Sequence, residues 1–102
     1  MNLAKVIKQA ATMQKEMERV QAELAARTVD FSSGGGMVTA TARGAGTLAR
    51  IKIDPKVINP ADAELLEDLV VSAVDGALRQ AKDLATQELG KVTAGLKLPG
   101  MF

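Results

Sequence analysis

Thr28–Asp54 reads TVDFSSGGGMVTATARGAGTLARIKID, and this stretch decides the fold. Val29 and Phe31 alternate with Thr28, Asp30 and Ser32. Val38, Ala40 and Ala42 alternate with Met37, Thr39, Thr41 and Arg43, and Ala49, Ile51 and Ile53 with Leu48, Arg50 and Lys52. Period-two alternation rich in β-branched residues predicts three half-buried strands. Gly34-Gly35-Gly36 and Gly44-Ala45-Gly46 separate them and supply the backbone freedom that short turns need. The expectation is a three-stranded antiparallel meander with one face free for helices. Glycine runs also occur in phosphate cradles, but neither run here leads into a helix or ends in Gly-Lys-Ser/Thr.

Upstream, the period changes. Leu3, Val6, Ala10, Met13, Met17, Val20 and Leu24 recur at alternating steps of three and four, an a/d heptad stripe. No Gly or Pro interrupts Leu3 to Ala26, which predicts one helix there. Downstream, Asp54-Pro55 stops the third strand. Asn59 is placed to cap a second helix, with Pro60 at its first position. Asp62, Glu64, Glu67 and Asp68 fall in its first turns, where the helix dipole favours anions. The second helix is expected to run to about Leu89 and to end at Gly90. Its apolar face is Leu66, Leu69, Val70, Ala73, Val74, Ala77, Ala81, Leu84 and Ala85. Gly76 lies inside it at a cost of about 1 kcal/mol against Ala, a sign of close approach by another group. Residues 91–102 show no period and include Gly95, Pro99 and Gly100. They are expected to form a mobile tail, leaving residues 1–90 as a single α-β-β-β-α domain.

Composition narrows the function. The chain has 102 residues, 47% hydrophobic and 25% charged, a globular balance. It has no Cys and no His. Disulfides, thiol chemistry, thiolate–zinc sites and His-based acid–base catalysis therefore have no residues to carry them. No cofactor or metal is expected, and no enzymatic activity. Glu64, Glu67 and Asp68 share a helix face, but helix-start electrostatics account for them without a cation. The two aromatic residues, Phe31 and Phe102, are too few for a base-stacking platform. No apolar run approaches a membrane span, and Met1 to Lys8 lacks a signal peptide's apolar core. A cytoplasmic protein is expected.

Two helices of about 36 and 45 Å are too long for one small sheet to cover. A compact chain of this size has a radius of gyration of only about 13 Å. The uncovered stripes are expected to close in a two-fold homodimer.

Charge is unevenly placed. Residues 1–27 hold five basic and three acidic side chains, and residues 55–90 hold three and seven. On a helical wheel Lys5, Lys8, Lys15 and Arg19 share one face of the first helix, about 150° from its apolar stripe. Such a face can contact phosphates, or be a solvated face laced with ion pairs to Glu16 and Glu23. Arg27, Arg43, Arg50 and Lys52 are second-tier candidates, with Arg79, Lys82, Lys91 and Lys97 beyond them.

Five phrases occur in order along the chain: Gln9-Ala10 through Met13-Gln14-Lys15-Glu16-Met17; Ser33-Gly34-Gly35-Gly36-Met37-Val38; Ile51-Lys52-Ile53-Asp54-Pro55; Leu66-Glu67-Asp68-Leu69-Val70; and Gly95-Leu96-Lys97-Leu98-Pro99-Gly100-Met101-Phe102. Together they resemble the YbaB/EbfC family of bacterial nucleoid-associated proteins. The resemblance implies an α+β fold assembled as an intertwined, tweezer-like homodimer that binds double-stranded DNA in the nucleoid through its helical arms. Under that resemblance Lys5, Lys8, Lys15 and Arg19 become the expected DNA contacts, made mainly to phosphates with low sequence specificity. The alternative is a dimeric adaptor whose heptad arms grip DNA repair or replication proteins.

Overall fold

The structure is a computed structural model that describes residues 2–96. Helix α1 spans Leu3–Ala26, and strands β1 (Thr28–Ser33), β2 (Val38–Arg43) and β3 (Leu48–Ile53) follow. Two short 3-10 turns, Pro55–Val57 and Pro60–Asp62, lead into helix α2, Ala63–Leu96. The sheet order is β1-β2-β3, antiparallel throughout. The chain is thus the expected helix, meander and long helix.

Local chemistry sets the boundaries. The Asn2 side chain accepts from the Lys5 N–H at 3.3 Å and caps α1. Gly34, Gly35 and Gly36 all take positive φ (60°, 68° and 98°), which turns β1 into β2. Pro60 opens a 3-10 turn, capped by Asn59 through the Ala61 N–H at 3.0 Å; the α-helix proper begins three residues later.

Cross-strand partners share a face. Val29 lies opposite Ala42, Phe31 opposite Ala40, and Ser33 opposite Val38, and this face meets α2. Ala73, Ala77 and Ala81, one helical row, are each 0% exposed against it. Alanines bring the helix backbone close to the sheet. A Cβ on Gly76 would run into the Phe31 ring, which explains a glycine inside a helix. The Ser33 hydroxyl donates to the Leu69 carbonyl at 2.6 Å across the same seam.

Three expectations are corrected. The second helix does not end at Gly90: α2 runs through it to Leu96, and Val92 is buried against Val20 and Leu24. Nothing near Gly90 forces a stop, and apolar Val92 gains more from packing on α1 than from leaving the helix. The tail therefore does not begin at Lys91; Lys97 to Phe102 lie outside the described residues. In β3, the register slips between Thr41 and Ala42, so Leu48 and not Ala49 lies opposite Ala42.

Helix α2 covers β1 and β2 but barely reaches β3. Leu48 and Ile51, on the helix-side face, stay 37% and 40% exposed. On α1, Val20 and Leu24 are buried against α2, while Leu3, Val6, Ile7 and Met17 of the same helix are exposed. The protomer measures 70 × 22 × 16 Å with a radius of gyration of 19.7 Å. A compact chain of this size would have about 13 Å.

Candidate nucleic-acid interface

Three of the four expected contact residues lie on the uncovered part of α1. Lys5, Lys8 and Lys15 are exposed and, among the described residues, make no ion pair. Their Cα atoms span about 15 Å of helix axis. The helix can hold these charges in a row because its other side carries the apolar stripe. Each lysine is a compact, strongly hydrated point charge suited to an anionic oxygen.

Arg19 is different. Its Nη2 lies 2.8 Å from Glu16 Oε2, and its Nη1 lies 2.7 Å from Glu23 Oε1. The hydrogen bond and charge of Glu16, then those of Glu23, push the guanidinium further above its already high ordinary value. This fork-shaped donor is satisfied within its own helix. The ion-pair network anticipated for this face thus forms around Arg19, not Lys15. A polyanion would have to displace two carboxylates to reach it.

The lower end of α1 is joined to α2 by charge as well as by Val20, Leu24 and Val92. Arg27 Nη1 lies 3.4 Å from Glu88 Oε1, which also accepts from Lys91 Nζ at 3.1 Å. The Lys91 hydrogen bond and charge, then those of Arg27, outweigh partial burial and hold the Glu88 carboxyl below its ordinary value. A cleft of about 420 Å³ between the helices is lined by Thr12, Glu16, Arg19, Glu23, Glu88 and Lys91, among others. Arg27 and Lys91 are therefore structural cations, and Arg79 lies 3.8 Å from Asp75. Arg50, Lys52 and Lys82 are exposed without an ion pair among the described residues; Lys97 lies outside them.

Asp62 Oδ1 accepts from the Leu65 N–H at 3.4 Å, an ordinary start to a helix. Among the described residues, no three His, Cys, Asp or Glu converge to hold a metal ion, and no helix is long and apolar enough to cross a membrane.

The fold and this site define a small α+β protein whose chemistry lies on a basic helical arm. The chain belongs to the YbaB/EbfC DNA-binding family, which matches residues 1–96. It is 47% identical to a nucleoid-associated protein of Acetivibrio thermocellus, over 99% of this chain and 90% of that one. It is 43% identical to a nucleoid-associated protein of Pelotomaculum thermopropionicum, over 99% and 96%. Its fold matches the crystal structure of an uncharacterised Helicobacter pylori protein at a TM-score of 0.81 and 20% identity, covering 91% and 98% of the two chains.

Proposed function

We propose that the protein binds duplex DNA in the nucleoid as a homodimer, through phosphate contacts from Lys5, Lys8 and Lys15 and with little sequence preference. The observation that carries this reading is the unpaired lysine row on an arm that the rest of the protomer leaves uncovered, in a chain of a DNA-binding family. Family membership and the relatives' names also favour a non-enzymatic role. Phosphates carry no sequence information, and lysines spaced along a helix match a backbone better than a base edge. Arg19 is held in reserve by Glu16 and Glu23.

Dimerisation is supported by apolar surface left open at both ends of the protomer. Leu3, Val6 and Met17 are exposed on α1, and Leu48, Ile51 and Ile58 in and after β3. A second copy covers both sets by the same contacts twice, which closes the assembly. Each arm then leaves the joint body with its lysines outward, as in a pair of tweezers. A cytoplasmic location accompanies this reading.

Fluorescence anisotropy with a random and a defined duplex, at several salt concentrations, tests it. The expected outcome is similar affinity for both and a steep loss with salt, about 0.9 in log–log slope per phosphate engaged. Binding insensitive to salt would reject phosphate recognition and turn attention to adaptor contacts with repair or replication proteins.

A further inference from the structure

The face of the sheet turned away from α2 is wholly polar. Cross-strand pairing places Thr28 with Arg43, Asp30 with Thr41 and Arg50, and Ser32 with Thr39 and Lys52 on it. No apolar side chain interrupts those rows. Three cations stand against one carboxylate, in a chain whose acidic residues concentrate in α2 and its approach.

The neutral groups of this face satisfy one another. Thr41 Oγ1 donates to Asp30 Oδ1 at 2.6 Å, and the Ser32 and Thr39 hydroxyls lie 2.7 Å apart. Arg43 is steadied by the Leu48 carbonyl at 2.8 Å. Arg50 and Lys52 remain exposed and, among the described residues, without an ion pair. They project from one side of β3 about 7 Å apart. Beside Lys52 is a recess of about 310 Å³, lined by Gly36, Thr39, Ile53, Asp54 and Pro55. Asp54 is committed there to the Lys56 N–H at 3.0 Å. A solvated surface without a ligand usually mixes charges of both signs. An excess of free cations over a flat, polar, hydroxyl-bearing face instead complements a polyanion's backbone.

The face is also remote from the α1 lysines. Lys15 precedes Arg27 by about 18 Å of helix and Lys5 by about 33 Å. We propose that the outer face of the sheet is a second duplex-binding surface, centred on Arg50 and Lys52, so that one assembly holds two DNA duplexes. This rests on the DNA-binding function proposed above and adds bridging to it.

A two-duplex capture assay tests the proposal. A duplex is fixed to beads, protein is added, and two readouts follow: protein retained, and a labelled free duplex captured. The unmodified protein should give both. Arg50→Ala with Lys52→Ala should retain protein on the fixed duplex. Its capture of the second duplex should weaken by about 60-fold at 0.1 M salt, from two lost phosphate contacts at 0.9 each. Arg50→Lys with Lys52→Arg should keep capture, and circular dichroism melting should be alike for all three proteins. Unchanged capture by the alanine variant overturns the second surface. Equal loss of retention and capture overturns it too, because both faces would then serve one duplex. Failure of the unmodified protein to bind the fixed duplex at all refutes DNA binding itself and this proposal with it.

Discussion

Replacing Gly76 by alanine should destabilise the protein, although alanine is the better helix former. Propensity alone favours the change by about 1 kcal/mol. The added methyl, however, falls on Cδ1, Cε1 and Cγ of Phe31, well inside contact distance. Phe31 cannot simply recede: it lies opposite Ala40, itself 0% exposed, and packs among the residues joining α2 to the sheet. Overpacking of this kind costs about 1–3 kcal/mol. The net loss is therefore up to about 2 kcal/mol, and each kcal/mol is about 4–8 °C in Tm for a chain of this size. Gly90 is the internal control. It lies inside α2 with nothing within 4 Å of an added Cβ, so Gly90→Ala should stabilise by about 0.5–1 kcal/mol. Thermal and urea unfolding at fixed protein concentration measure both. A Gly76→Ala protein that melts as high as Gly90→Ala would refute the placement of Phe31 beneath α2. Adding Phe31→Leu to Gly76→Ala should recover stability relative to the sum of the single effects, since the two sites touch.

Two further outcomes follow from the structure. Glu88 has its carboxyl pKa held down by Lys91 and Arg27, so its stabilising contribution is present above the ordinary glutamate value and disappears as pH falls through the depressed one. Melting curves from neutral to acid pH should show unmodified protein and Glu88→Gln diverging at neutral pH and converging in acid. Ile51→Asp puts a carboxylate into the open apolar row beside β2, so light scattering at micromolar concentration should show a dimer for the unmodified chain and a monomer for the variant.

The sheet was readable from sequence because its alternation is strict and its turns are glycines. Val29, Phe31, Val38, Ala40 and Ala42 all face α2 as their period requires. Helix α1 was readable from seven evenly phased apolar positions. Other features depend on contacts distant in sequence. Gly90 has the chemistry of a helix terminator, yet Val92, two residues on, is buried against Val20 and Leu24, more than 60 residues earlier. Leu48 replaces Ala49 on the inner side because the ladder slips where β2 enters its last turn. At the site, a wheel places Lys5, Lys8, Lys15 and Arg19 together but does not say which of them is already paired. The Glu16-x-x-Arg19-x-x-x-Glu23 spacing was the available signal, since both carboxylates fall within one turn of the guanidinium. The outer-face grouping of Arg43, Arg50 and Lys52 needed the strand register to bring it together.

The phosphate-binding role of the α1 lysine row is tested most directly by the salt dependence of DNA affinity in Lys8→Ala with Lys15→Ala. A dimer loses four lysines in this variant. If all four meet phosphates, the log–log slope flattens by about 3.6, and by about 1.8 if geometry engages half of them. Affinity should fall by the same factor for every duplex tested, with melting temperature unchanged because both positions are exposed. An unaltered slope and affinity in a folded variant would contradict the assignment of DNA contact to this face of α1.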